Sequence, residues 1–197
     1  MTWRRGVLLF ALLAGASLAR AQVAVAPRPR GGDEVERLNA QLLSHDSATA
    51  VLQALCDRRG GRGERIRARR APEPSATPSE DAAARVALGV PPDEPLAHRR
   101  VELTCRGLVL SRADNWYRPG RLTPEMNRRL ETTDTPFGVA AAALKFHRLT
   151  LSAERLDLPG VVLRHRALLL DGAGQPFSYL VETYTDAVLS PGPRARR

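Results

Sequence analysis

The amino-acid sequence predicts an α+β fold, and three observations predict it. Apolar residues at helical spacing are confined to the first third of the chain. The second half instead carries alternating, β-branched segments separated by short Gly-containing turns. The length of 197 residues, with 43% hydrophobic and 26% charged side chains, suits one domain with a real core. The expected order is leading helices, then an antiparallel sheet interrupted by a helical insertion.

The elements follow in order. Met1–Ala21 has a positive start (Arg4, Arg5), an apolar stretch from Gly6 to Leu18, and a small-x-small site at Ala19-Arg20-Ala21. That is the form of a cleaved signal peptide, and it predicts a periplasmic or secreted protein, or a cytoplasmic one if the start codon is misassigned. A lead-in segment and helix fill 22–45, with the helix over Asp33–Leu43, where Leu38, Leu42 and Leu43 recur at helical spacing. Ser47 caps a second helix to Cys56, with Ala50, Val51, Ala54 and Leu55 on one face. Glu64–Arg70 reads as a short polar strand and the Pro/Ser-rich Ala71–Ser79 as a loop.

His98–Cys105, the turn Arg106-Gly107 and Leu108–Tyr117 form a hairpin signal. Thr123 caps a helix over Thr123–Leu130 with Pro124 at its first position. A turn over Glu131–Gly138 leads to the apolar run Val139–Leu144, and Phe146–Leu156 alternates as a strand. Val161–Leu170 and Gln175–Val188 are joined by Asp171-Gly172-Ala173-Gly174 in a second hairpin. Domain 46–189 ends in a basic tail, 190–197.

Composition excludes several functions. Net charge is +9, but Lys145 is the only lysine among 30 basic residues, and the arginines gather in Arg58–Arg70 and the tail. With aromatics at 5%, a base-stacking surface is not expected, and no nucleic-acid partner is predicted. No stretch after the first twenty residues is long and apolar enough to span a bilayer. Phosphate-loop, nucleophile-elbow and zinc-protease motifs are absent, and His45, His98, His147 and His165 are scattered, so no metal and no cofactor is expected. After export, Cys56 and Cys105 would meet an oxidising compartment, though sequence leaves their separation open.

Strand parity singles out two charges. Glu182 shares a face with Leu180, and Arg100 shares one with Glu102 and Thr104. A buried charge must be paired or bind a charged partner; the alternatives are a structural ion pair or two exposed side chains. Asp114 and Asn115 either bring polar groups to a pocket or lie at a strand bend.

Four segments in order carry a resemblance: Asp46-Ser47-Ala48-Thr49 opening a helix, the strand Arg99–Cys105, the turn Thr135-Pro136-Phe137-Gly138, and Arg164–Leu170 followed by Leu180-Val181-Glu182-Thr183. They resemble the chorismate pyruvate-lyase family, whose fold is shared by ligand-binding UTRA domains. The resemblance implies an antiparallel sheet of about six strands, helices packed on one side, and an enclosed ligand cavity. It also implies cofactor-free elimination of pyruvate from chorismate to leave 4-hydroxybenzoate. Arg100 would anchor the carboxylate, and Glu182 would face the hydroxyl end. Phe137 and Gly138 would close on the ring, and Ala48 would form a wider pocket wall. The alternative is an exported, non-catalytic module holding a small acid on the same fold, since chorismate is a cytoplasmic metabolite.

Overall fold

The computed structural model describes residues 30–60, 63–71 and 76–189. The expected signal peptide Met1–Ala21 and the basic tail lie outside the described residues.

Six strands form one antiparallel sheet: β1 (Arg67–Arg70), β2 (Ala97–Cys105), β3 (Leu108–Tyr117), β4 (His147–Leu158), β5 (Val161–Leu170) and β6 (Pro176–Thr185), in the order β1-β2-β3-β6-β5-β4. The β2–β3 hairpin turns at Arg106 (φ 50°) and Gly107 (φ 79°), the pair of positive φ values a two-residue turn matching strand twist requires. At the β5–β6 turn, Asp171 Oδ1 accepts from the N–H groups of Ala173 and Gln175.

One face of the sheet carries most of the core. Helices α1 (Arg30–Leu43) and α2 (Ala48–Arg58) cover one half through Val35, Leu38, Leu42, Val51 and Leu52, against Val101, Leu103 and Leu163. Helices α4 (Pro124–Thr132) and α5 (Phe137–Ala140) cover the other half through Met126, Leu130 and Phe137, against Leu169, Phe177 and Leu180. Each fully buried leucine contributes about 1.5–3 kcal/mol. The α2 face is rotated from the expected one: Ala48, Val51, Leu52 and Cys56 are buried while Ala50 and Ala54 are exposed. A disulfide joins Cys56 to Cys105, tying α2 to the end of β2 and fixing that rotation.

Helix α3 (Pro78–Leu88) lies where the sequence reading placed a loop up to Ser79 and nothing beyond. The T-P-S-E run that reads as a polar linker is a capping box: Thr77 Oγ1 accepts from Glu80 N–H, and Glu80 Oε2 accepts from Thr77 N–H at 2.7 Å. Helix α3 covers part of the opposite sheet face, with Ala84 and Leu88 against Trp116, Leu168 and Tyr179. The Trp116 Nε1–H donates to Asp81 Oδ1 at 2.6 Å. At the end of the chain, β6 stops at Thr185, and Asp186–Val188 turns as a short 3-10 segment rather than extending the strand.

Candidate functional site

Directly opposed residues of neighbouring strands point to the same face, so the sheet register assembles the site. Arg99 pairs with Asn115 across β2–β3, and Asn115 with Leu180 across β3–β6. One step along, Val101 pairs with Ala113, Ala113 with Glu182, and Glu182 with His165 on β5. These rows floor a small, partly open cavity. The N-terminal turn of α2 (Asp46 to Thr49) and Phe137, Gly138 and Phe146 wall it. Four polar side chains, Arg99, Asn115, Arg148 and Glu182, interrupt the otherwise apolar sheet side, and Asp46, Ser47 and Thr49 add polar groups on the α2 side.

Arg99 is 4% exposed, yet among the described residues no carboxylate lies within 4.0 Å of it. Backbone carbonyls hold it instead: Nη1 donates to Thr135 O at 3.1 Å, and Nη2 to Thr133 O at 3.1 Å and Ala68 O at 3.5 Å. Burial, with Arg70 nearby, lowers its pKa from the ordinary guanidinium value. Its Nε–H is buried and has no acceptor. The same holds for Asn115: its Oδ1 accepts from Ser178 Oγ–H, but Nδ2 is buried without a partner. An orphaned buried donor costs about 1–3 kcal/mol, and Arg99 and Asn115, opposed across β2–β3 on the cavity floor, each carry one.

Arg148 and Glu182 form the other end. Their side chains are 2% and 7% exposed, and Nη2 donates to Oε2 at 2.6 Å. Tyr184 Oη–H also donates to Oε2, at 3.0 Å. Burial pulls the Arg148 pKa down, but Glu182 and Tyr184 together outweigh it and the net shift is upward. Tyr184 is fully buried and its pKa is pushed well above the ordinary phenol value, first by burial and then by Glu182. Arg148 Nε–H is the third such donor among the cavity-lining residues, Ser111 Oγ, Ser152 Oγ and His165 Nδ1 being buried and unpaired outside it, and Glu182 Oε1 makes no hydrogen bond among the described residues. Behind this pair His165 is held neutral: burial, then Arg148, lower its pKa to about 4, and Nε2 meets Asn39 Oδ1 at 2.8 Å.

The structure brings Glu182, Phe137, Gly138 and Ala48 to this one cavity. Gly138 stands where α5 crosses the α2 cap: a Cβ there would sit 3.3 Å from Ser47 Oγ and 3.5 Å from Phe146 Cζ. Arg100 is a correction. It lies on the opposite sheet face, where Nε donates to Asp114 Oδ1 at 2.6 Å and Nη2 to Asp114 Oδ2 at 2.9 Å. His98 Nε2 meets the same Asp114 at 2.9 Å. Burial raises the Asp114 pKa, but hydrogen bonds from His98 and Arg100 outweigh it and the net shift is downward. The arginine β2 sends into the cavity is Arg99, and strand alternation is the reason, since Arg99 shares parity with the apolar Val101 and Leu103. That signal was present in the sequence. Arg148 was missed and carried no such signal, lying between His147 and Leu149, which are both exposed. Of the open pair, Asn115 faces the cavity and Asp114 the outer face.

Among the described residues no group of three His, Cys, Asp or Glu is placed to hold a metal ion, and no helix is long and apolar enough to cross a membrane.

No family model matches the chain. Among solved structures it is similar to PhnF from Mycobacterium smegmatis, with TM-score 0.51 and 12% identity over 75% of this chain and 67% of that one. It is also similar to the effector domain of the same PhnF, with TM-score 0.50 and 11% identity over 72% of this chain and 90% of that one. These likenesses establish the fold: a six-stranded antiparallel sheet with most of its helices on one side, as in UTRA and chorismate lyase-like domains. The sequence is 39% identical over 188 residues to the uncharacterized protein y4mC of Sinorhizobium fredii, spanning 81% of this chain and 77% of that protein. At that identity and coverage, the chain belongs to the family of y4mC.

Proposed function

We propose that this protein is an exported receptor for a small aromatic hydroxy acid, held in the cavity between α2 and the sheet and not turned over. The observation that carries the reading is the set of three buried donors without acceptors, Arg99 Nε, Asn115 Nδ2 and Arg148 Nε, around one mostly apolar cavity. A ligand carboxylate on Arg99 and Asn115 supplies the missing acceptors, with charge-assisted bonds of the stronger kind. The apolar floor takes a ring, and Glu182 Oε1 accepts a hydroxyl at the far end. The N-terminal turn of α2 adds a favourable dipole for the anion.

Glu182 Oε2 is already engaged by Arg148 Nη2–H and Tyr184 Oη–H, which leaves only Oε1 to meet a ligand hydroxyl. Export is supported by the signal-like Met1–Ala21 and by the Cys56–Cys105 disulfide, a bond that persists in oxidising compartments.

The test is to mix the purified protein with chorismate and with 4-hydroxybenzoate, following pyruvate release and calorimetric heat. Binding of 4-hydroxybenzoate without pyruvate release is the expected outcome. Pyruvate release that is lost in Glu182→Gln would overturn the receptor reading in favour of a lyase.

A further inference from the structure

An open groove adjoins the cavity. It shares Ser47 and Thr49 with the cavity and runs between α2, the start of β1 and the Asp134-Thr135-Pro136 turn. Arg65 and Arg67, just before and at the start of β1, and Arg129 of α4 line it, against a single acid, Asp134. Many of the other described arginines are engaged. Arg69 and Arg112 pair with Glu102, Arg118 with Glu94, and Arg121 with Asp171, while Arg59 and Arg85 donate to backbone carbonyls. The side chains of Arg65, Arg67 and Arg129 make no hydrogen bond or ion pair among the described residues. Three uncommitted guanidinium groups around one groove set up a positive potential that the single acid Asp134 does not balance.

The groove also meets the acid-anchoring end of the cavity. Thr135, whose carbonyl holds Arg99, lines the groove. We infer that the groove is a second anion subsite, taking a phosphate or carboxylate group that projects from the ligand beside its cavity-bound acid. This rests on the acid-binding reading of the cavity and extends it: the natural ligand class becomes an aromatic acid with an anionic substituent next to the acid end.

The test compares 3-hydroxybenzoate with 3-carboxyphenyl phosphate by calorimetry, and adds pyrophosphate as a free anion in the presence and absence of 4-hydroxybenzoate. The phosphate ester is expected to bind about tenfold tighter than 3-hydroxybenzoate, with the advantage shrinking in salt. In Arg65→Gln/Arg129→Gln, surface changes that leave the core intact, the advantage is expected to vanish while 4-hydroxybenzoate affinity holds. Pyrophosphate that binds equally with the cavity full or empty, together with no gain for the ester, would overturn the tethered form and leave a free-anion site. Equal affinity of both benzoates in the unchanged protein, with no pyrophosphate binding, would overturn the subsite altogether. Failure of the cavity reading looks different: 4-hydroxybenzoate would give no heat while pyrophosphate still bound and lost affinity in the double variant.

Discussion

The two faces of the β2–β3 pair treat neighbouring arginines in opposite ways. On the outer face Arg100 stands opposite Asp114 and is held by both of its carboxylate oxygens, with His98 completing the cluster. On the inner face Arg99 stands opposite Asn115 and is held only by carbonyls, and both side chains keep a buried donor unsatisfied. The outer cluster is closed and contributes to the fold. The inner pair is open, so the fold carries a desolvation cost there that an anionic ligand relieves. A charge's identity therefore says little about its role until its partners are counted.

Sharpening that comparison begins with the Arg148–Glu182 pair, the satisfied end of the inner face. Arg148→Met leaves the buried Glu182 carboxylate without its counter-charge and should cost about 3–5 kcal/mol, read as a fall in urea midpoint. A midpoint within error of the unchanged protein would show that water reaches Glu182 freely.

His165, behind the same pair, gives a pH signature. Its folded pKa is lowered to about 4, so the folded protein keeps it neutral while the unfolded chain takes up a proton below the ordinary histidine value. Stability from this residue is fully present above about pH 6.5 and falls as pH drops toward 4, by up to ~1.4 kcal/mol per pH unit. Asp114 acts only in more acidic solution: its folded pKa is depressed, so its contribution holds above the ordinary carboxylate value and is lost as pH falls through the lowered one. In His165→Gln the slope between pH 6.5 and 4 should flatten; an unchanged slope would assign it to other groups.

Smallest is the outer cluster. Arg100 and Asp114 retain 23% and 16% side-chain exposure, so solvent screens them, and Arg100→Gln should cost only about 1 kcal/mol of stability.

Much of this architecture was legible because it rests on local rules. The β2–β3 and β5–β6 hairpins follow from turn chemistry and alternation, and the Ser47 and Thr123 caps lie where their side chains demanded. Helix α3 was lost because a proline- and serine-rich run hides a capping box whose partner helix is short and faces the less buried side of the sheet. In the site, Glu182 was found through parity with Leu180, and the same rule applied to β2 gives Arg99 rather than Arg100. Parity puts Arg100 with the polar Glu102 and Thr104, and its carboxylate-anchoring role came from the resemblance alone. Arg148 reaches Glu182 only through the sheet order β6-β5-β4, a long-range pairing that no window of sequence contains.

The most direct measurement sets the two arginines against each other in one titration. Calorimetry with 4-hydroxybenzoate would be run on the unchanged protein, Arg99→Gln, Arg100→Gln and Asn115→Ala, each first checked for a folded far-UV spectrum. The account predicts a loss of about 1.5–3 kcal/mol, roughly 10- to 150-fold, for Arg99→Gln, a smaller loss for Asn115→Ala, and unchanged affinity for Arg100→Gln. Loss of affinity in Arg100→Gln, with Arg99→Gln and Asn115→Ala binding as well as the unchanged protein, would contradict it and move the site to the outer face.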